Sequence, residues 1–230
     1  MPGRWLVLVY SPGGGDFRTV GTSLAEDLTS HGRVVVLVDH PGDASQVELP
    51  TGTRKTVLIG PPDEGAFRTM TDTRIADLRH VLDRLAGLPL APVMDRDRIG
   101  LYGHSAGGTA AVYAAHGEPR VRAVANLEGY LDLHPLTDGC RAPLLLFRTD
   151  GFEGAARIDS SWAHLHGHRT LLAHATHWPF TDCGSLVPQL QTAGLVTAAA
   201  RAALVGTAGP QAALAAVWRR LHAFFACHLA

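Results

Sequence analysis

The chain has 230 residues, 46% of them apolar and 18% charged, with a net charge of −1 when histidine is neutral. These values suit one ordinary domain with a substantial core and exclude a disordered or fibrous chain. With charge so close to zero, neither nucleic acid nor an anionic membrane surface is expected as a partner.

The first element is a strand, Trp5–Tyr10. Its six apolar residues are too few for a secretory h-region with a cleavage site, and far too few to span a bilayer. The cytoplasm is the expected location. Ser11-Pro12-Gly13-Gly14-Gly15-Asp16 follows, a glycine turn that leads into a helical pattern over Thr19–His31. The turn lacks the lysine and hydroxyl of a phosphate-binding P-loop, and its glycines do not follow dinucleotide-site spacing. Val34–Asp39 reads as the next strand, and Thr53–Ile59 as a short strand or hairpin. Thr73–Leu88 has helical spacing.

Arg98–Tyr102 is the third main strand, and Ser105–His116 is the helix after it. Between them stands Gly103-His104-Ser105-Ala106-Gly107, with Gly108 beyond. A G-x-S-x-G segment between a strand and a helix is a nucleophile elbow. The serine occupies a strained turn, and glycines flank it because a Cβ there would clash. Ser105 is the candidate nucleophile, and the Ala106 N–H, at the start of a helix, is a candidate oxyanion donor. In a fold of this kind the second donor comes from the loop after an early strand. Gly14 is the candidate and Gly15 the runner-up.

Val121–Leu127, Pro143–Phe147 and Thr170–Ala173 complete the strands. Helical patterns cover a stretch around Ser160–His166 and the amphipathic end, Gln211–Leu229, of about five turns. Continuous apolar strands alternating with helices indicate a mostly parallel central sheet with helices on both faces, in a single domain over residues 1–230. The elbow assigns that sheet to the α/β-hydrolase fold.

Histidines crowd the region from His164 to His177, which raises a zinc site. His164, His166 and His168 flank a glycine, however, without a supporting carboxylate or cysteine cluster, and read as an exposed turn. Cys140, Cys183 and Cys227 lack metal-site spacing and read as free thiols. No metal and no organic cofactor is expected. His177 follows the last strand, where the base of a Ser…acid…His order belongs, and His174 competes with it. A neutral imidazole, with a pKa near ~6.5, is suited to take a serine proton.

With these residues in hand, the chain resembles the platelet-activating factor acetylhydrolase-like branch of the α/β-hydrolases, including bacterial relatives, and more distantly the cutinase-like enzymes. The likeness runs through Phe17-Arg18-Thr19, Leu24–Gly32, Val38–Ala44, Asp97–Gly108, Asn126-Leu127-Glu128-Gly129 and His177-Trp178-Pro179-Phe180-Thr181-Asp182. The His-x-x-Phe-x-Asp pattern selects His177 over His174. In the acetylhydrolase branch the triad acid follows the strand after the elbow helix, which implies Glu128, although aspartate is usual there. In the cutinase-like enzymes it follows the next strand, which implies Asp150. The closer likeness favours Glu128. Members of the branch carry further sequence before the oxyanion strand, so the sheet is expected to be short at its N-terminal edge.

The expected activity is a serine hydrolase cleaving a carboxylic ester through an acyl-enzyme, acting on a small acyl substrate. The alternatives are a biosynthetic thioesterase or acyltransferase using the same residues on a carrier-bound acyl group, and a catalytically silent hydrolase fold that only binds. Substrate identity and oligomeric state stay open at this level.

Overall fold

The computed structural model describes residues 4–56, 63–136 and 139–229. Six strands form one parallel sheet: β1 (Trp5–Ser11), β2 (Arg33–Leu37), β5 (Met94–His104), β6 (Val121–Leu127), β7 (Leu144–Thr149) and β8 (His168–Leu172). Their spatial order is β2-β1-β5-β6-β7-β8. Two short strands, β3 (Gln46–Leu49) and β4 (Gly52–Lys55), form a separate antiparallel hairpin. The strand or hairpin expected over Thr53–Ile59 overlaps β4, and its residues 57–59 lie outside the described residues.

Side-chain alternation along β1 explains why the apolar strands need cover on both faces. Val7 and Val9 point into a core shared with Leu78 and Leu82 of α2 (Glu64–Arg84), Val112 of α3 (Ala106–Ala115) and Trp162 of α4 (Ala155–Trp162). Leu8 and Tyr10 point into the opposite core, with Leu28 of α1 (Thr22–Ser30) and Leu221 and Phe225 of α7 (Pro210–Leu229). The residues of both cores are buried, and the apolar area they remove from solvent is the main stabilisation of the sheet. Two further helices, α5 (Cys183–Thr192) and α6 (Ala198–Val205), lie between β8 and α7 in the chain. No helix among the described residues is long and apolar enough to cross a membrane.

Boundaries shift at three places, the first being α4, which spans Ala155–Trp162 where a helical stretch around Ser160–His166 is expected. Helix α2 begins nine residues before the expected Thr73, at Glu64, because the Asp63 side chain accepts the Ala66 N–H and caps it. Strand β5 extends back to Met94 through a polar stretch, across a register shift against Leu6 and Val7 of β1. In a parallel sheet all the loops after the strands emerge on one edge, which is where such folds place ligands. The loops after β1, β5, β6, β7 and β8 therefore carry Gly14, Ser105, Glu128, Asp150 and His177 to the same side of the molecule.

Candidate active site

The turn between β5 and α3 places Ser105 at φ 54°, ψ −125°, in the left-handed region that disfavours a side chain. Neighbouring backbone enforces this. A Cβ on Gly103 would lie 2.3 Å from the Gly107 carbonyl group, and one on Gly107 would lie 2.1 Å from the Ser11 carbonyl oxygen. Ser105 is held at both ends, its N–H donating to the Leu127 carbonyl (2.8 Å) and its carbonyl accepting the Thr109 N–H (3.1 Å). The serine stays partly exposed while its neighbours His104 and Ala106 are buried.

His177 and Glu128 are brought together. The imidazole Nδ1 lies 2.8 Å from Glu128 Oε2. A carboxylate only accepts, so Nδ1 carries the proton and Nε2 is left as the basic nitrogen. Glu128 is fixed in turn: its Oε1 accepts the Thr149 N–H (2.5 Å) and the Thr149 hydroxyl (2.7 Å). Its backbone also lies at positive φ, 65°, directly after β6. Asp150 is occupied elsewhere. Its two oxygens accept the N–H groups of His174 (2.9 Å) and Ala175 (3.1 Å), and these bonds pull its carboxyl below the ordinary aspartate range. His174 is exposed, at φ 59°, on the turn that Asp150 caps.

Two neighbours of His177 gave no signal in the sequence. His104, inside the elbow motif, donates from Nε2 to the His177 carbonyl at 3.0 Å, with the two rings 4.3 Å apart. Burial drives its pKa well below the usual histidine range, so it is neutral. On the other side the Phe152 ring stacks on the imidazole at 4.0 Å and 14°. His177 is thus held between two rings. These contacts join residues 73 and 25 positions apart, and no local pattern encodes them.

The glycine loop after β1 stands against the elbow. A Cβ on Gly14 would meet Ala106 Cβ at 3.8 Å, so the two candidate oxyanion donors are neighbours. The Gly15 N–H donates to Asp43 Oδ1 at 2.7 Å and is unavailable to a substrate. Beneath the loop, the fully buried Arg74 of α2 donates to the Pro12 carbonyl (2.6 Å) and the Gly13 carbonyl (2.8 Å) and pairs with Asp43. Asp16, the next acid in the loop, has its carboxyl raised to about 6 by burial, opposed by Arg74 and His177.

His164, His166 and His168 are exposed. The one group of metal-ligand type among the described residues is Asp27, His31 and His222, with ligand atoms within 4.8 Å of one another. There His222 Nδ1 faces an Arg33 donor at 2.8 Å and its Nε2 lies 2.6 Å from Asp27 Oδ2. Both ring nitrogens are taken, and a guanidinium sits where a cation would come.

Comparison with known proteins fits this geometry. No family model matches the chain. A probable 1-alkyl-2-acetylglycerophosphocholine esterase from Arthroderma benhamiae is 34% identical over 128 residues, which is 54% of this chain and 31% of that relative. The ferulic acid esterase from Streptomyces cinnamoneus superimposes over the whole chain and 68% of its own, at 31% identity and a TM-score of 0.82. Dienelactone hydrolase from Anabaena variabilis shares the fold at 19% identity and a TM-score of 0.60, over the whole chain and 89% of its own. Its six-stranded parallel sheet, its elbow serine and its likeness to these structures show that the chain belongs to the α/β-hydrolase superfamily.

Proposed function

We propose that this protein is a serine esterase that cleaves carboxylic esters through an acyl-enzyme, with Ser105 as nucleophile, His177 as base and Glu128 as the acid that orients it. One observation carries the reading. The imidazole after β8 turns its Nδ1–H to a buried carboxylate 2.8 Å away, and the carbonyl of the same histidine accepts from His104, the residue before the elbow serine. The order and polarity are those of a hydrolytic triad.

In the first half-reaction Ser105 Oγ attacks the ester carbonyl carbon while its proton passes to His177 Nε2. The tetrahedral oxyanion takes hydrogen bonds from the Ala106 and Gly14 N–H groups. Collapse expels the alkoxide, which leaves as the alcohol with the proton from Nε2. Water then attacks the acyl-enzyme by the same route and releases the acid, restoring Ser105. Glu128 stays ionised throughout and stabilises the imidazolium each time it forms. The names of two relatives, a ferulic acid esterase and a probable 1-alkyl-2-acetylglycerophosphocholine esterase, support oxygen esters as the substrate class. The second of these names also supports the acetylhydrolase-like branch as the place of this chain in its superfamily.

A panel of aryl acetates, alkyl cinnamates and acyl thioesters tests the proposal. Turnover of the oxygen esters is expected. Turnover confined to carrier-type thioesters would transfer the site to the thioesterase reading.

A further inference from the structure

The donors that face a developing oxyanion work only if they are held in place before the reaction begins. One of them belongs to a helix, α3, and is rigid. The other belongs to Gly13-Gly14-Gly15, the most flexible sequence in the chain, where the backbone has no preference of its own. One turn bond, from the Asp16 N–H to the Gly13 carbonyl at 3.1 Å, lies within the loop, and the other bonds that fix it come from outside.

We infer that Arg74, paired with Asp43, is the positioning residue that sets the oxyanion hole, an inference that rests on the esterase reading above. The guanidinium is wholly buried and uses its donors on the loop itself, at the Pro12 and Gly13 carbonyls. Asp43 holds the other end, accepting the Gly15 N–H while it neutralises Arg74. The Ser45 N–H adds a bond to the Gly15 carbonyl at 2.8 Å. A trans peptide points its C=O and its N–H in opposite directions, and the described backbone has no cis bonds. Binding the Gly13 carbonyl to Arg74 therefore turns the Gly14 N–H away from α2, in a residue where an added Cβ would meet Ala106 at 3.8 Å. A planar fork suits this task, because it reaches two successive carbonyls and a carboxylate at once; an ammonium would serve one or two of the three. Arg74 touches no substrate and acts through the loop.

The test uses Arg74→Met, Arg74→Lys and Asp43→Asn in the full chain, with thermal midpoints to identify folded variants. Three quantities are compared: kcat, KM on an aryl acetate, and the affinity of phenylboronic acid, whose tetrahedral adduct with Ser105 needs the oxyanion hole. Arg74→Met is expected to lower kcat about 100-fold or more, the scale of losing one oxyanion donor, with KM within about threefold of the wild type by the same logic. Boronate affinity should fall in parallel with kcat/KM, and Arg74→Lys should recover part of both. Should Arg74→Met not fold, Asp43→Asn and Arg74→Lys carry the same comparison, expected at about tenfold or more. The inference is overturned if folded variants keep kcat within about threefold of wild type. It is equally overturned if kcat falls while boronate affinity does not. A wild-type protein that hydrolyses no ester would sink the esterase reading instead. Amide exchange would then judge the clamp alone, with loss of Gly15 N–H protection in Arg74→Lys expected and unchanged protection overturning it.

Discussion

Two sets of serine, histidine and acid stand out in this molecule, and only one of them is proposed to do chemistry. In the first, His177 turns Nδ1 to Glu128, and its carbonyl accepts from His104, the residue before the elbow serine Ser105. In the second, Ser11 Oγ lies 2.9 Å from His40 Nε2, and His40 Nδ1 lies 2.8 Å from Asp77 Oδ2. The polarity is the same in both, because a carboxylate only accepts, which places the proton on Nδ1 and leaves Nε2 free to accept from a hydroxyl. Judged by residue types and hydrogen bonds alone, the second set is the more fully linked, because its serine bonds to its histidine. Its serine, however, ends strand β1 with no exposed surface, and its histidine is 1% exposed. Nothing can reach the hydroxyl, and no strained turn lifts it above the sheet.

A nucleophile is thus made by its backbone. Ser105 sits at φ 54° because glycines at 103 and 107 let carbonyl groups approach to distances that a Cβ would forbid, and that conformation presents the hydroxyl where the loops open. Ser11 sits in regular parallel pairing, opposite Gly103 of β5. The buried relay satisfies polar groups that would otherwise be stranded in the core, a role worth stability and not rate. Burial lowers the pKa of His40, which keeps it neutral and suited to that role.

The sharpest way to break the comparison is to remove each serine. Ser105→Ala, and likewise His177→Ala, should cost about four to six orders of magnitude in kcat with the fold intact, as loss of a triad member does. His174→Ala and His166→Ala should stay within a few-fold. Near wild-type ester hydrolysis by purified Ser105→Ala would contradict the assignment, and a severe loss in His174→Ala alone would move the base.

Next in size are the acids. Glu128→Gln should cost about three to four orders of magnitude, because an amide can hold the wrong imidazole tautomer and cannot stabilise the imidazolium. Asp150→Asn should cost only a few-fold, since that carboxylate caps the turn at His174 and Ala175. Steady-state kinetics on the two variants decide the matter, and a reversed order would assign the triad acid to Asp150.

Ser11→Ala gives the opposite profile. It leaves His40 Nε2 without its partner and should lower the unfolding free energy by about 1–3 kcal/mol, read from urea midpoints. Its kcat should stay within about threefold of the wild type by the same logic that makes Ser105→Ala severe. A collapse of activity in a stable variant would mean that the buried relay takes part in the reaction.

The smallest expected effect belongs to Asp16, which feels both Arg74 and His177. Burial raises its carboxyl from 3.8 to about 6, so the folded chain binds that proton more tightly than the unfolded one. Stability attributable to Asp16 therefore falls as pH rises from about 4 to about 6 and stays lower above that window. Asp16→Asn should stabilise the protein by on the order of 1–3 kcal/mol at pH 8, with no gain at pH 3. Parallel urea curves at the two pH values check this, and equal shifts at both would refute it.

Much of this was legible in the sequence, for reasons that differ from place to place. The elbow reads directly because its five residues carry a fixed pattern, even though the contact that demands Gly107 comes from the Ser11 carbonyl on β1. The strands read directly because a sheet covered on both faces needs unbroken apolar runs. Helices α5 and α6 escaped notice: α5 carries Pro188 and leaves Leu186 and Leu190 exposed, and α6 is largely alanine and buries only Val205, so neither shows a run of large apolar residues at helical spacing. The choice between Glu128 and Asp150 rested on resemblance, because both follow strands and only side-chain direction separates them. Arg74, His104 and Phe152 were invisible, since their partners lie tens of residues away in the chain and a buried arginine looks no different from a surface one.

The most direct test of the central claim is labelling with a fluorophosphonate followed by peptide mapping. A single adduct is expected on the peptide that holds Ser105, with none on the peptide that holds Ser11, and labelling should vanish in Ser105→Ala and fall sharply in His177→Ala. Persistent labelling of Ser105→Ala, or an adduct mapped to any other residue of the wild-type chain, would contradict the account.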